Sequence, residues 1–225
     1  MKKPVVNAIL FDLDGTLADT APDLVGAINQ LLKEDNLPLR PIDELRPFVS
    51  RGSLGLIPAA FGIEPPHQSF EALKDRFLTA YKENICVQTS LFDGIRPLLD
   101  QLDACNMPWG IVTNKNRKLT LTLLKALGLS DTQCVVCGDD MIRAKPWPDT
   151  LLRAAELLNI APREIIYVGD YHRDIEAAQA ANMPSVGVTY GYACPEIPID
   201  TWGASYIINH PDELYQIIWP GSTDD

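Results

Sequence analysis

Short apolar runs alternate with longer amphipathic stretches along most of this chain. Residues 5–11 (VVNAILF) form a nearly continuous apolar run rich in β-branched residues. Such a run predicts a central strand of a parallel sheet, buried on both faces. Similar runs recur at 109–112, 134–137, 165–168 and 185–188. Between them, apolar positions at helical spacing predict helices over 95–104, 117–127, 148–158 and 174–181. Strands alternating with helices indicate βαβ units and an α/β fold with an open, doubly wound parallel sheet. Ligands of such sheets bind beyond the carboxyl ends of the strands. The polar residues directly after each run are therefore the ones to inspect.

The rhythm breaks between residues 19 and 87. Thr20-Ala21-Pro22-Asp23 reads as a capped helix start, and Leu24, Ile28, Leu31 and Leu32 follow at helical spacing. Phe70, Leu73, Phe77 and Tyr81 predict another helix over 70–84. No strand is predicted between the two. The expected organisation is a core of residues 1–18 and 88–225 with a helical insertion at 19–87, covering the strand ends as a lid. The tail 221–225 is expected to fray.

Hydrophobic residues make up 46% and charged residues 22% of the 225, which suits a soluble globular chain. No window approaches the ~18 uninterrupted apolar residues of a spanning helix. The start Met1-Lys2-Lys3 resembles the head of a signal peptide, but Asp12 and Asp14 break the run behind it and no cleavage site follows. A cytoplasmic protein is expected. The formal net charge of −11 disfavours nucleic acid and anionic membranes as partners. A phosphate ligand would then require positive charge concentrated locally. Five cysteines, an odd number, do not make a disulfide framework. Cys134 and Cys137 match a C-x-x-C spacing, but with no second pair for zinc they read as packing residues.

Four strand ends carry polar residues of interest. The first is Asp12-Leu13-Asp14-Gly15-Thr16-Leu17, whose two carboxylates point to the same side of an extended backbone. Gly15 permits a sharp turn and close approach to a ligand; a plain polar turn is the alternative. The second is Val112-Thr113-Asn114-Lys115, where a hydroxyl and an amide can donate to a phosphate or cap the next helix. The third is Lys145 before Pro146 and Pro148, either a surface lysine or the local cation that a phosphate needs. The fourth is Val168-Gly169-Asp170, followed by Tyr171-His172-Arg173-Asp174. Asp170 suits magnesium or an N-cap, and Asp174, one turn on, is placed to support the ion or Lys145.

In this order the four segments resemble the motifs of the haloacid dehalogenase superfamily of phosphatases, over essentially the whole chain. The resemblance implies a Rossmann-like core with a small α-helical cap at the insertion. It implies that Asp12 attacks phosphorus to give an aspartyl-phosphate, and that Asp14 protonates the leaving oxygen and then activates water. Mg²⁺ would be held by Asp12, Asp170 and the main-chain carbonyl of Asp14. Thr113, Asn114 and Lys145 would bind the phosphate, with Lys145 also keeping Asp12 ionised. One position departs from the pattern: Tyr171 stands where a small or acidic residue is frequent, so an outer-shell oxygen is either missing or supplied by Asp174.

In this cap type the substrate-facing loop is Ser50-Arg51-Gly52-Ser53-Leu54-Gly55. There Arg51, with Gly52, is placed to pair with a substrate carboxylate, or Arg51 is simply exposed, and Ser53 is a candidate helix cap. Among subgroups the chain resembles phosphoglycolate phosphatases and N-acetylmuramic acid 6-phosphate phosphatases. The segments 90–94, 109–115, 190–192 and 202–204 lean toward the latter. The expected partner is a small phosphorylated metabolite, acted on by a monomer or homodimer. Competing classes are a phosphosugar mutase, a phosphate-accepting receiver domain, which would lack both Asp14 and the insertion, and a catalytically idle scaffold. His67, His172 and His210 share no ligand spacing and are given no role.

Overall fold

A computed structural model of the chain describes residues 6–192 and 196–219. It opens with β1 (Ala8–Phe11), then a two-residue strand β2 (Ala18–Asp19). Helices α1 (Ala21–Glu34), α2 (Ile42–Leu45), α3 (Ser53–Phe61) and α4 (Phe70–Glu83) follow, with a 3₁₀ turn (Arg46–Arg51) leading into α3. The chain returns through β3 (Ser90–Leu91), antiparallel to β2. Next come α5 (Ile95–Ala104), β4 (Trp109–Val112), α6 (Arg117–Ala126), β5 (Cys134–Val136) and α7 (Asp149–Leu158). The last are β6 (Ile165–Gly169), α8 (His172–Ala180), β7 (Ser185–Val188), β8 (Tyr206–Ile208) and α9 (Leu214–Ile218).

Six strands form one parallel sheet in the order β5-β4-β1-β6-β7-β8. The β1 run explains its central place. Ile9 and Phe11 join the apolar cluster on one face, and Ala8 and Leu10 join that on the other, all fully buried. Successive side chains of a strand alternate between faces, so only an unbroken apolar run suits a strand covered on both sides. From β1 the chain winds outward through β4 and β5, and later through β6 to β8 on the other side. The carboxyl end of β1 is thus the switch point where such sheets bind ligands.

The α/β, doubly wound class stands as expected. Strands over 109–112 and 185–188 coincide with β4 and β7, whereas the run at 134–137 pairs only to Val136. The helix expected from 174 begins at His172, because the Asp174 carboxylate accepts the Tyr171 N–H at 3.1 Å and closes a capping box. The apolar helix expected after the 50–55 loop is α3, whereas β2, β3 and β8 and helices α2 and α9 carry no sequence signal, being too short to show a period. Thr20 is a correction: its hydroxyl does not cap α1 but donates to Asp14 Oδ1 at 2.6 Å. The Tyr192 phenol oxygen instead accepts the N–H groups of Thr20 and Ala21, at 2.6 and 2.9 Å. Asp23 likewise turns to the far end of the insertion, accepting main-chain N–H bonds from Val87, Gln88 and Thr89.

Leu24, Ile28, Leu31 and Leu32 of α1 and Phe70, Leu73, Phe77 and Tyr81 of α4 share one apolar cluster with the sheet face that carries Ile9 and Phe11. The four described cysteines are free, and burial pushes the Cys134 thiol up to about 11, an inert packing thiol. No described helix is long and apolar enough to cross a membrane. Val5 and the tail 221–225 lie outside the described residues.

Candidate active site

Polar side chains from four strand ends and the insertion converge on a cavity of about 330 Å³. Asp12 directly follows β1, and its Oδ1 lies 2.9 Å from Lys145 Nζ. Lys145 is 4% exposed. It also donates to Asp174 Oδ1 (2.7 Å), the Tyr167 hydroxyl (2.7 Å) and the Val112 carbonyl (3.1 Å). Its position is set by Asn114, whose amide Nδ2 donates to the Lys145 carbonyl and whose Oδ1 accepts the Lys145 N–H, at 2.9 and 3.0 Å. Asn114 also lines the cavity, and its amide carries a second N–H beside the one given to the Lys145 carbonyl. Thr113 is buried beside it, its Oγ1 accepting the Lys115 N–H.

Asp14 lies in a separate pairing. Its Oδ1 accepts from Lys115 Nζ at 2.8 Å and from the Thr20 hydroxyl. Lys115 Nζ also lies 4.6 Å from the centre of the Tyr81 ring of α4, a cation–π contact. Against the burial that would lower it, the Asp14 carboxylate holds the Lys115 ammonium above its ordinary value. Lys115 ends the segment Val112-Thr113-Asn114-Lys115, yet its sequence gives it no role; only α4 and Asp14 together define its contacts.

Asp170 is fully buried. Its Oδ2 accepts from the Tyr192 N–H (3.0 Å) and the Ser50 hydroxyl (3.1 Å), and its Oδ1 from the Thr16 hydroxyl (3.3 Å). Gly15 adopts φ +87°, and a Cβ there would sit 2.2 Å from Asp170 Oδ2, so only glycine fits this turn. Burial pushes Asp12 up to about 6, with Lys145 opposing and Asp174 and Asp14 adding to it. Burial, with Asp12 and Asp174 nearby, pushes Asp170 up to about 8.

Oxygens of Asp12, Asp170 and Asp174 lie within 4.8 Å of one another. Three buried carboxylates around one lysine leave uncompensated negative charge, and an all-oxygen set of this kind fits a hard divalent cation. Asp174 is tied to Lys145 and to the Tyr171 N–H, and Asp12 and Asp170 complete the cluster. The Asp14 carboxylate stands outside this cluster, which leaves only its main-chain carbonyl for a metal.

Of the insertion residues, Arg51 and Gly52 line the cavity, and Arg51 forms no ion pair among the described residues. Gly52, at φ +55°, is itself the N-cap of α3, so Ser53 does not cap that helix. His172 packs on Tyr171 at 4.3 Å and does not line the cavity. His67 and His210 accept local main-chain N–H bonds.

This arrangement defines a hydrolase site on a doubly wound sheet, and similarity to known proteins agrees. Residues 9–188 match the profile of the haloacid dehalogenase-like hydrolases, and the chain belongs to that family. It is 36% identical over 214 residues to the N-acetylmuramic acid 6-phosphate phosphatase of Pseudomonas putida, covering 95% of this chain and 96% of that one. It is 40% identical over 216 residues to the phosphoglycolate phosphatase of Xanthomonas campestris pv. campestris, covering 95% and 97%. The crystal structure of a predicted phosphoglycolate phosphatase from Haemophilus somnus superposes with a TM-score of 0.84 at 30% identity, over 94% and 97% of the two chains. Within the family, then, this chain is a phosphatase.

Proposed function

We propose that the enzyme hydrolyses a carboxylate-bearing sugar phosphate, favouring N-acetylmuramic acid 6-phosphate, through an aspartyl-phosphate on Asp12. The observation that carries this reading is the Asp12 carboxylate held 2.9 Å from buried Lys145 at a cavity floor. Asp12 Oδ attacks phosphorus in line while the P–O bond to the sugar oxygen breaks. Asp14, positioned by Lys115 and Thr20, takes up a proton and leaves the Lys115 ion pair, gives that proton to the leaving oxygen, and then takes one from the water that cleaves the acyl phosphate. Lys145 and the Thr113 hydroxyl neutralise and orient the phosphoryl oxygens. Mg²⁺, held by Asp12, Asp170 and the Asp14 carbonyl, supplies further charge neutralisation when bound. Helices α1–α4 act as the cap over the cavity, in a cytoplasmic enzyme.

Size and lining favour the larger ester. The cavity volume is in the range of sites for ligands much bigger than a two-carbon acid. Leu24, Leu54, Phe77 and Leu78 offer an apolar wall for N-acetyl and lactyl methyl groups, and Arg51 is placed for the lactyl carboxylate. Release of inorganic phosphate is expected to be faster from N-acetylmuramic acid 6-phosphate than from 2-phosphoglycolate. The reverse preference would replace the substrate with the smaller ester; phosphate transfer back to sugar through a bisphosphate would make the enzyme a mutase.

Metal binding should show in stability. With folded values raised above 3.8, Asp12 and Asp170 contribute stability that is fully present below that pH and lost as pH rises through about 6 and about 8. A cation that binds the ionised pair offsets this loss. Added Mg²⁺ is therefore expected to raise the melting temperature more at pH 8.5 than at pH 6, by about 4 °C or more at saturation. An equal or larger shift at pH 6 would contradict the proposed ligands.

A further inference from the structure

We propose that Ser50, a residue of the helical insertion, is a positioning residue for the metal ligand Asp170 and couples docking of the insertion to cation binding. This rests on the metal reading above. Asp170 Oδ2 is enclosed by the Gly15 backbone, the Tyr192 N–H and the Ser50 hydroxyl, while among the described residues Oδ1 accepts only the longer bond from Thr16. Oδ1 is thus the oxygen left to face Asp12, and the donors on Oδ2 set its direction. Tyr192 belongs to the loop after β7, but Ser50 arrives from the 3₁₀ turn of the insertion, 120 residues away in sequence. Its carbonyl is held as well, accepting from Arg173 Nη2 at 2.6 Å. Arg173 also packs over the Tyr171 ring at 4.6 Å. The turn is therefore fastened at two points, one of them the carboxylate itself.

Hydrogen bonds to a ligating carboxylate orient it, and their loss weakens metal affinity by about 10–100-fold. Because binding linkage is reciprocal, an ion that requires the oriented Asp170 also favours the docked turn. Arg51 and Gly52, which follow Ser50 directly and line the cavity, would then be held there more firmly when the ion is bound.

The test is titration calorimetry with MgCl₂ on the full chain and on Ser50→Ala and Ser50→Thr. Ser50→Ala is expected to raise the Mg²⁺ Kd about tenfold, with Ser50→Thr within about twofold of the parent. The metal-free melting temperature of Ser50→Ala should fall by only about 2–4 °C, the cost of one hydrogen bond, whereas a merely structural role would not change the Mg²⁺ Kd. Hydrogen exchange of residues 46–52 should slow on Mg²⁺ addition in the parent and not in Ser50→Ala. Unchanged Mg²⁺ affinity in Ser50→Ala, with the parent binding, overturns the coupling alone. Absence of Mg²⁺ binding by the parent overturns the metal reading and this inference together.

Discussion

Asp12→Asn is expected to lower phosphate release by about 10⁴-fold or more, the order that loss of a nucleophile costs, without unfolding the protein. The amide has the shape of the carboxylate but cannot attack phosphorus. Folding should not suffer, for a physical reason visible at the site. Burial pushes Asp12 up to about 6, so at pH 8 the folded protein carries an ionised carboxylate that its surroundings disfavour. Removing that charge leaves Lys145 still paired with Asp174 at 2.7 Å. The variant should therefore melt at or above the parent temperature at pH 8, and this advantage should shrink toward pH 4. Turnover within tenfold of the parent would remove Asp12 from the chemistry.

Lys145→Met carries the second large effect, on stability as well as on turnover. Methionine keeps most of the aliphatic stem but deletes the cation between Asp12 and Asp174, at 2.9 and 2.7 Å. Both carboxylates would remain buried with no compensating charge, a change that costs about 3–5 kcal/mol. Urea denaturation measures it as a lower midpoint with unchanged slope. Adding Asp174→Asn to this background removes one of the two stranded charges and should recover part of the loss. Turnover should stay low in the double variant, because no lysine is left for the phosphoryl oxygens. A single variant as stable as the parent would mean that this cluster is solvated or protonated in a way its burial does not support.

Asn114 and Lys115 show where sequence reading ran short. Thr113-Asn114 at the end of an apolar strand is placed to meet a phosphate, but nothing local shows that the Asn114 side chain also holds the Lys145 backbone. That partner lies 31 residues away. Tyr167 gave more warning: a phenol inside the run Ile165–Val168 must find a partner when buried, and it hydrogen-bonds Lys145 and the Val112 carbonyl.

By itself the sequence determined the α/β sheet, because unbroken apolar runs tolerate only a strand covered on both faces. It also determined which residues stand at the strand ends, since each run stops at Asp12, Thr113 or Asp170, polar groups that a covered strand would not bury unpaired. Tertiary structure alone decided how the charges are shared: Lys145 between Asp12 and Asp174, Lys115 on Asp14, Ser50 and Tyr192 on Asp170. Those contacts join residues far apart in the chain, 101 positions for Asp14 and Lys115 and 120 for Ser50 and Asp170. Their geometry is set by strand order and by how the insertion docks. Periodicity reports which face of an element is buried, but not which neighbour buries it.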